Sequence, residues 1–459
     1  MKQNQVLLTD SYKVGHAPMY PNGTEYVYSY FEARKGADFD ETVFFSLQAI
    51  LQEHFCGVQV TREDIDKAEK LMTAHLGSFD RAKWDYIVDN CGGKLPIEIK
   101  AVAEGTVVPV DNVLFTIVNT DPNCFWLVGH METVLTHVWQ GSTVATLSRK
   151  TKQLFAEYLE TTCDMGKEFP GIDFMLHDFG FRGVSSVQSA VWGGMGHLVN
   201  FSGTDTICAL EGAMEYYGAE TAVAYSVNAT EHSVMTSRGE EGEIETIKDI
   251  ISKFPEGILS MVSDSYDIIN AVKNIYGKGE VKEMILNREG TFVIRPDSGD
   301  PVETMRTLLF LVGEAFGYTI NEIGYKVINP KVRLIWGDGI DYNGIEQILE
   351  MAAEEGWSVE NIVFGMGGGL LQKINRDTQR CAFKSSAQFR DGEWHDIYKD
   401  PTDISKRSKR GQLKLIKVDG QFKTVRIEED GEDLLQTVFL NGEIVKEYTF
   451  DEIRANAKI

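Results

Sequence analysis

The stretch NIVFGMGGGLLQKINRD, residues 361–377, runs from apolar residues into four glycines and then into a polar segment with helical spacing. Glycine costs about 0.5–1 kcal/mol more to order than alanine inside a regular element, so this run requires a physical reason. A strand, a bare-backbone loop and a helix N-terminus together offer unpaired amide N–H groups, which bind anions such as phosphate. The pattern is neither a Walker A motif nor a regular G-x-G-x-x-G, and a tight turn is the alternative interpretation.

Chemically distinctive residues also follow seven apolar segments in the middle of the chain, at the points where strands would end. They are Asp178, Phe179 and Arg182; Asp205; Glu231 and His232; Asp264; Arg295 and Asp297; Gly337 and Asp338; and Gly367 to Gly369. Each acid taken singly could be only a helix N-cap. Acids, two arginines, a histidine and the glycine run on one rim together indicate a functional site.

A further basic cluster lies in the stretch YKDPTDISKRSKRGQLKL. It contains Lys399, Lys406, Arg407, Lys409 and Arg410, within an otherwise acidic chain. A solvated loop is one interpretation. Binding of a polyphosphate is the other, because lysine and arginine clusters and Mg²⁺ are the usual partners of adjacent phosphates.

The elements that would position these residues alternate regularly. Apolar segments that begin near residues 174, 197, 222, 257, 291, 331, 361 and 381 read as eight strands, and helical periodicity follows the first seven. Asp300, Pro301 and Glu303 mark one helix start clearly. This order predicts a parallel (β/α) barrel with its site at the carboxyl ends of the strands, and an open doubly wound sheet is the alternative.

The two ends of the chain lack this alternation. Residues 1 to about 120 mix strand-like and helical stretches, and hairpin signals occur at Asp430-Gly431 and Asn441-Gly442. We therefore predict an α/β protein with two domains. An irregular (β/α) barrel would cover residues 166–386, and a discontinuous α+β domain would be built from residues 1–165 and 387–459.

Composition narrows the classes of partner. The formal net charge of −24 argues against a nucleic-acid surface, because phosphate backbones are bound mainly by lysine and arginine. The six cysteines have no paired spacing, which favours reduced thiols over disulfides or a zinc site. Apolar runs are too short for a signal peptide or for the roughly 20 residues that span a bilayer. We expect a cytoplasmic protein that binds neither nucleic acid nor a membrane.

Ten stretches resemble the nicotinamide phosphoribosyltransferases, in the same order along nearly the whole chain. They are LLTDSYKVGH, VYSYFEARKG, LHDFGFRGVSS, HLVNFSGTDT, EHSVMTSRGE, SDSYDI, IRPDSGDP, GDGIDYNG, FGMGGGLLQKINRD and KDPTDISKRSKRG. The resemblance implies that nicotinamide displaces pyrophosphate from phosphoribosyl pyrophosphate, with Mg²⁺, to give nicotinamide mononucleotide in NAD salvage. It also implies a homodimer with shared active sites and ATP as an optional co-substrate.

The resemblance assigns the base and phosphate contacts to particular residues. Phe179 would stack on the nicotinamide ring opposite Tyr12 of a second subunit, and Asp10 lies beside Tyr12 in the same substrate-binding motif. Asp205 and Arg295 would bind the carboxamide. The residues implied for the nucleotide phosphate are Arg182, Gly367 and Gly368, with Arg376 and Lys384 from the second subunit.

The remaining roles concern the ribose, the metal and ATP. Asp297, Gly337 and Asp338 would position the ribose, and Asp264 and Asp297 would lie near the metal, directly or through water. His232, poised by Glu231, would be the phosphorylated residue. The residues implied for pyrophosphate and ATP are Arg34, Lys399 and Lys406.

Two other functions remain as alternatives. A nicotinate phosphoribosyltransferase is the nearer one, but the Asp205 carboxylate would repel the carboxylate of nicotinate. A non-enzymatic nucleotide-binding regulator on the same scaffold is the other. The presence of His232, Arg295 and Asp297 argues against the loss of activity that such a regulator implies.

Overall fold

The structure is a computed structural model that describes residues 3–399 and 408–459. The strands of these ranges are β1 (Thr24–Glu32), β2 (Glu41–Val43), β3 (Ile97–Ala101), β4 (Val107–Pro109), β5 (Val113–Asn119), β6 (Leu176–Asp178), β7 (Gly203–Thr204), β8 (Asn228–Ala229), β9 (Leu259–Val262), β10 (Phe292–Arg295), β11 (Tyr318–Ile320), β12 (Lys326–Ile328), β13 (Val332–Trp336), β14 (Ile362–Met366), β15 (Ala382–Arg390), β16 (Glu393–Asp396), β17 (Leu413–Val418), β18 (Gln421–Arg426), β19 (Gln436–Leu440) and β20 (Glu443–Ile444).

The α-helices of the same ranges are α1 (Leu47–His54), α2 (Arg62–Leu76), α3 (Arg81–Cys91), α4 (Leu127–Leu135), α5 (Val138–Thr162), α6 (Val187–Leu198), α7 (Ile207–Tyr217), α8 (His232–Met235), α9 (Glu243–Lys253), α10 (Ile268–Asn270), α11 (Gly279–Asn287), α12 (Pro301–Phe316), α13 (Tyr342–Glu354), α14 (Gly368–Leu371) and α15 (Phe450–Asn456). Asp300 caps α12 as predicted, because its carboxylate accepts from the Glu303 N–H at 2.9 Å. None of the helices in the described part of the chain is both long and apolar enough to cross a bilayer.

The chain divides into two compact units. Among the described residues, one contains residues 3–146, 212–220, 375–399 and 408–458, and the other contains residues 147–211 and 221–374 with residue 459. We refer to them as the terminal unit and the barrel unit. The domain boundaries drawn above from the sequence remain a prediction.

The barrel unit is built on a parallel sheet with the order β7-β6-β14-β13-β10-β9-β8. Strands of this sheet that follow one another along the chain are adjacent in it, apart from β7 and β8 at its two ends. The last strand, β14, pairs in parallel with the first, β6. The sheet curls until Tyr225, just before β8, forms a parallel bridge with Gly203 of β7. This cyclic order confirms the irregular (β/α) barrel and excludes the open doubly wound sheet, in which the strand order reverses.

The expected eighth strand does not belong to the barrel. It is β15, which pairs antiparallel with β1, so that Phe383 lies opposite Phe31. In β15 the buried side chain of Phe383 is followed by the exposed side chain of Lys384, which suits an antiparallel sheet with one exposed face. The barrel strand β9, by contrast, is buried at all four positions, as expected of a strand covered on both faces.

The terminal unit is built on an antiparallel sheet with the order β16-β15-β1-β5-β3-β19-β20. The N-terminal strands β1, β5 and β3 form the centre of this sheet and C-terminal strands flank them on both sides, which confirms the discontinuous α+β architecture. Its core includes Phe31 stacked on Phe115, with ring centroids 5.0 Å apart. Asn441 and Gly442 form the predicted hairpin turn between β19 and β20, and both have positive φ.

Candidate active site

An open cavity of about 1020 Å³ lies at the carboxyl ends of the barrel strands. Its lining comes from the segments after β6, β7, β8, β10, β13 and β14, all within the barrel unit. The predicted site residues that line it are Phe179, Arg182, Asp205, Glu231, Arg295, Asp297, Gly337, Asp338, Gly367 and Gly368. Strand ends far apart in the sequence therefore form one rim, as the barrel prediction requires.

The aromatic ring of Phe179 lies against the backbone of two neighbouring strands. A Cβ atom built on Gly365 would lie 1.9 Å from the ring, and one built on Gly337 would lie 3.0 Å from it. The Phe179 N–H donates to the Met366 carbonyl at 3.0 Å, which fixes the turn that carries the ring. Gly365 therefore leaves the space that the Phe179 ring occupies, a role that the sequence analysis missed.

The buried carboxylate of Asp178 holds the start of this turn. Its Oδ1 accepts from the Gly180 N–H at 2.7 Å, and its Oδ2 lies 3.5 Å from the Thr204 hydroxyl. Burial raises the pKa of Asp178 to about 6, and the nearby Asp205 carboxylate acts in the same direction. Asp178 is fully buried and lies behind the rim, so we assign it to the support of the Phe179 turn.

Asp205 and Arg295 bring opposite charges to the cavity. The Asp205 N–H donates to the Asp178 carbonyl at 3.0 Å, and its Oδ1 accepts from the Ser226 hydroxyl at 2.5 Å. The Nε atom of Arg295 is buried and has no hydrogen-bond partner among the described residues. An unpaired buried donor is costly, so this atom is available to a ligand that carries an acceptor.

His232 lies between two carboxylates and a hydroxyl. Its Nε2 is 3.6 Å from Asp264 Oδ1 and 3.5 Å from Asp297 Oδ2, while its Nδ1 is 3.2 Å from the Ser265 hydroxyl. Asp264 also accepts from the Asp297 N–H at 3.0 Å, which holds the two acids together. His232, Asp264 and Asp297 therefore form one cluster of side chains.

The resemblance implies that Glu231 poises His232. Its carboxylate accepts a short hydrogen bond from Ser233, and it lines the cavity. Among the carboxylates of the described residues, those recorded within 4 Å of the His232 ring are Asp264 and Asp297. The role of Glu231 towards His232 stays a prediction.

The structure requires glycine at some, but not all, of the three consecutive glycine positions after β14. A Cβ on Gly369 would lie 2.5 Å from the Ile340 carbonyl, so packing explains this residue. A Cβ on Gly368 would meet no described atom within 4 Å, and Gly368 is not among the glycines with positive φ. Neither packing nor backbone conformation requires glycine at 368, and Gly368 faces the cavity that Arg182 and Lys373 also line. Lys373 was not predicted.

The other predicted cations lie in the terminal unit. Burial lowers the pKa of the Lys384 ammonium, and the positive charges of Arg34, Arg376 and Lys399 lower it further. These four cations are therefore close enough to interact. Arg34 also pairs with the buried Glu32 carboxylate at 3.2 Å. Lys406, the remaining predicted cation, lies outside the described residues.

Tyr12 and Asp10 also lie in the terminal unit. Tyr12 is 62% exposed, and its ring makes an edge-on contact with His16, with centroids 5.1 Å apart. Asp10 accepts from the Thr133 hydroxyl at 2.9 Å, which holds the segment that carries Tyr12. Lys13 Nζ lies 5.7 Å from the centroid of the same ring, and the exposed part of Tyr12 can contact another molecule.

The barrel, its glycine loop and the charged rim define a phosphoribosyltransferase. Residues 174–443 match the model of the nicotinate phosphoribosyltransferase (NAPRTase) family, and residues 4–99 match that of the nicotinamide phosphoribosyltransferase N-terminal domain. The chain belongs to the nicotinate phosphoribosyltransferase family and is a phosphoribosyltransferase.

Relatives of similar length are named nicotinamide phosphoribosyltransferase. The nicotinamide phosphoribosyltransferase of Xanthomonas campestris is 46% identical over 99% of this chain and 98% of its own length. That of Acinetobacter baylyi is 35% identical over 98% of this chain and 96% of its own. These matches confirm the resemblance to the nicotinamide phosphoribosyltransferases. The crystal structure of human nicotinic acid phosphoribosyltransferase has a TM-score of 0.57 at 16% identity, covers 98% of this chain and 93% of its own, and supports the fold alone.

Proposed function

We propose that this enzyme condenses nicotinamide with phosphoribosyl pyrophosphate to give nicotinamide mononucleotide and pyrophosphate. The observation that carries this proposal is that an acid and a cation, Asp205 and Arg295, line the same cavity as Phe179. A carboxamide offers an N–H donor to the acid and a carbonyl acceptor to the cation, whereas nicotinate has only acceptors. The aromatic ring of the base fits against the face of Phe179.

The reaction exchanges one bond for another at the ribosyl carbon. The bond from this carbon to a pyrophosphate oxygen breaks, and the lone pair of the pyridine nitrogen forms the new bond, so no general base is needed. Positive charge develops on the ribosyl carbon as pyrophosphate leaves. The carboxylate of Asp297 and the backbone of Gly337 and Asp338 line the cavity where the ribose would lie, and a carboxylate there stabilises that charge.

Magnesium fits the donors near His232. Asp264 and Asp297 offer carboxylate oxygens, which Mg²⁺ prefers, and Asp264 Oδ1 is buried without a hydrogen bond among the described residues. Within these residues, no group of three or more His, Cys, Asp or Glu side chains could hold a metal by itself. This suits an ion bound by one or two carboxylates, directly or through water, together with substrate phosphates. When bound, Mg²⁺ would neutralise charge on the leaving pyrophosphate.

The 5′-phosphate would bind at the glycine loop. Arg182 and the backbone of Gly367 and Gly368 line the same part of the cavity. Bare backbone N–H groups and a cation are a suitable anion site. Arg376 and Lys384 would add positive charge from a second subunit.

Gly368→Ala tests this phosphate site. The added methyl group meets no atom of the described residues within 4 Å, so we expect the melting temperature to change by less than about 2 °C. The methyl group occupies space near the phosphate, so the KM for phosphoribosyl pyrophosphate should rise about tenfold or more. Steady-state kinetics at varied concentrations of phosphoribosyl pyrophosphate would measure this KM. An unchanged KM, with unchanged stability, would show that the phosphate does not bind at this loop.

ATP would be an optional co-substrate that phosphorylates His232. The Nε2 atom of His232 lies 3.6 Å from Asp264 Oδ1 and 3.5 Å from Asp297 Oδ2, and Arg34, Lys399 and Lys406 are cations suited to the phosphates. His232→Ala should abolish ATP hydrolysis while leaving slower, ATP-independent synthesis. Phosphate release and mononucleotide formation, measured on the same samples, separate the two activities. Hydrolysis at the normal rate in this variant would reject the phosphohistidine.

A homodimer with shared sites would be the active unit. This proposal is supported by the exposed ring of Tyr12 and by the cation cluster around Lys384 in the terminal unit. Tyr12→Ala and Phe179→Ala should each be nearly inactive, and a mixture should regain about a quarter of the activity per dimer, because one hybrid site is intact in half of the dimers. Native mass spectrometry would verify subunit exchange. Full exchange without recovery of activity would contradict shared sites.

The assay for the proposed function is direct. The purified protein is incubated with phosphoribosyl pyrophosphate, Mg²⁺ and either nicotinamide or nicotinate, with and without ATP, and the products are identified by mass. We expect nicotinamide mononucleotide and pyrophosphate in equal amounts. Formation of only the acid mononucleotide would identify a nicotinate enzyme. We also propose a cytoplasmic location, without nucleic-acid or membrane partners, in keeping with the net charge of −24.

A further inference from the structure

The position of Ser226 is determined by the place where the barrel closes. Tyr225 forms the parallel bridge with Gly203, its N–H donates to the Ser202 carbonyl at 2.8 Å, and its carbonyl accepts from the Thr204 N–H at 3.1 Å. Ser226 follows directly and leads towards β8. Its backbone is therefore held beside the end of β7, where Asp205 lies.

The side chains of Ser226 and Asp205 meet across this closure. The Ser226 hydroxyl donates to Asp205 Oδ1 at 2.5 Å, and the backbone N–H of Asp205 is bound separately to the Asp178 carbonyl at 3.0 Å. The backbone and one carboxylate oxygen of Asp205 are thus both fixed. A hydrogen bond to a charged carboxylate is stronger than one between neutral groups, so it restricts the rotation of the carboxylate.

The second oxygen, Asp205 Oδ2, has no hydrogen-bond partner recorded among the described residues, and Asp205 lines the cavity. A carboxylate has lone pairs on both oxygens, so occupation of Oδ1 leaves Oδ2 to accept from a ligand. An exposed aspartate without such a restraint would lose rotamer freedom when it binds a ligand, and this loss would weaken binding.

We propose that Ser226 is a positioning residue that fixes the Asp205 carboxylate for recognition of the carboxamide N–H. This inference rests on the proposed function, because it takes nicotinamide as the base. Ser226 does not contact the reacting atoms and acts only through Asp205. Its contribution should therefore appear in base binding and base selection, not in the bond exchange.

Ser226→Ala should raise the KM for nicotinamide about tenfold, with kcat and the KM for phosphoribosyl pyrophosphate changed less than twofold. Ser226→Thr keeps the hydroxyl and should restore most of the loss. Ser252→Ala is the matched control, because Ser252 is an exposed serine whose hydroxyl donates, within the described ranges, to the Lys248 carbonyl of its own helix. It should leave every constant unchanged.

A double-mutant cycle decides whether Ser226 acts through Asp205. In an Asp205→Asn background, Ser226→Ala should change the KM for nicotinamide less than twofold, because the charged acceptor is already gone. An equal tenfold effect in both backgrounds would overturn the proposal. So would a fall in melting temperature together with a rise in the KM for phosphoribosyl pyrophosphate, since this would mean that Ser226 only stabilises the barrel closure.

Two further results separate this inference from the function on which it rests. If Ser226→Ala lowers the melting temperature, Ser226→Cys is tested instead. Cysteine keeps the volume but is a weak donor, so this variant should reproduce the rise in the KM for nicotinamide. A wild-type enzyme that does not use nicotinamide would reject the proposed function and this inference with it. A wild-type enzyme that uses nicotinamide, with Ser226→Ala unchanged, would reject only the positioning role.

Discussion

Asp205→Asn should lower the ratio of kcat/KM for nicotinamide to kcat/KM for nicotinate by more than a thousandfold. The carboxylate can accept a charge-assisted hydrogen bond from the carboxamide, worth about 1.5–3 kcal/mol. Against nicotinate it adds repulsion of about 4 kcal/mol between charges ~4 Å apart at an effective dielectric constant of 20. Asparagine keeps the shape, removes the charge and can donate its own N–H to the carboxylate of nicotinate.

The ratio is measured with both bases on both proteins at fixed phosphoribosyl pyrophosphate and Mg²⁺. Asp341→Asn is the matched control, because Asp341 caps α13 beside the same rim and asparagine caps helices equally well. It should leave the ratio unchanged. An unchanged ratio in Asp205→Asn would mean that Asp205 is not the selector.

Gly365→Ala should reduce kcat/KM for nicotinamide at least a hundredfold. The new Cβ atom would lie 1.9 Å from the Phe179 ring, far inside van der Waals contact, so the ring must move out of its slot. A displacement of about 1 Å at a substrate-positioning group costs roughly 10²-fold in rate. Steady-state kinetics and the melting temperature are measured together, because overpacking also destabilises a protein by about 1–3 kcal/mol.

The loss of activity is assigned to the ring by a second comparison. Phe179→Ala combined with Gly365→Ala should be no less active than Phe179→Ala alone, because both changes act on the same ring. Gly129→Ala is the control, since its added Cβ would meet its nearest atom at an ordinary 3.6 Å. Additive losses in the double variant would show that Gly365 acts on something other than Phe179.

The sequence predicted the barrel and the membership of its rim because both depend on local patterns. Each barrel strand is a short apolar run, and parallel strands place their carboxyl ends on the same side of the sheet. The positions of Asp205, Arg295, Asp297 and Gly368 on one cavity follow from that rule. The eighth strand was assigned wrongly because a short apolar run indicates a strand but not the sheet that the strand joins.

The contacts between distant segments were not predictable in the same way. Ser226 reaches Asp205 only because the barrel closes between β7 and β8, and the carboxylates of Asp264 and Asp297 meet His232 only across strand ends. The sequence did contain an indication of the role of Gly365. A glycine inside a buried strand often marks the close approach of another group, and here that group is the Phe179 ring.

Turn residues gave mixed results. Asn441-Gly442 forms a hairpin, but Asp430-Gly431 lies in the longer connection between β18 and β19. The tight hairpin of that region instead joins β17 and β18 through Asp419 and Gly420, which both have positive φ. An Asp-Gly pair therefore indicates a turn, while the flanking strands decide whether the turn closes a hairpin.

A competition experiment tests the central claim most directly. Equal concentrations of nicotinamide and nicotinate are mixed with limiting phosphoribosyl pyrophosphate, Mg²⁺ and enzyme, and the two mononucleotides are counted by mass spectrometry at low conversion. Their ratio equals the ratio of the two kcat/KM values. The charged rim around Asp205 and Arg295 predicts that the amide mononucleotide exceeds the acid by more than a thousandfold. Equal amounts, or an excess of the acid mononucleotide, would contradict a nicotinamide-specific enzyme.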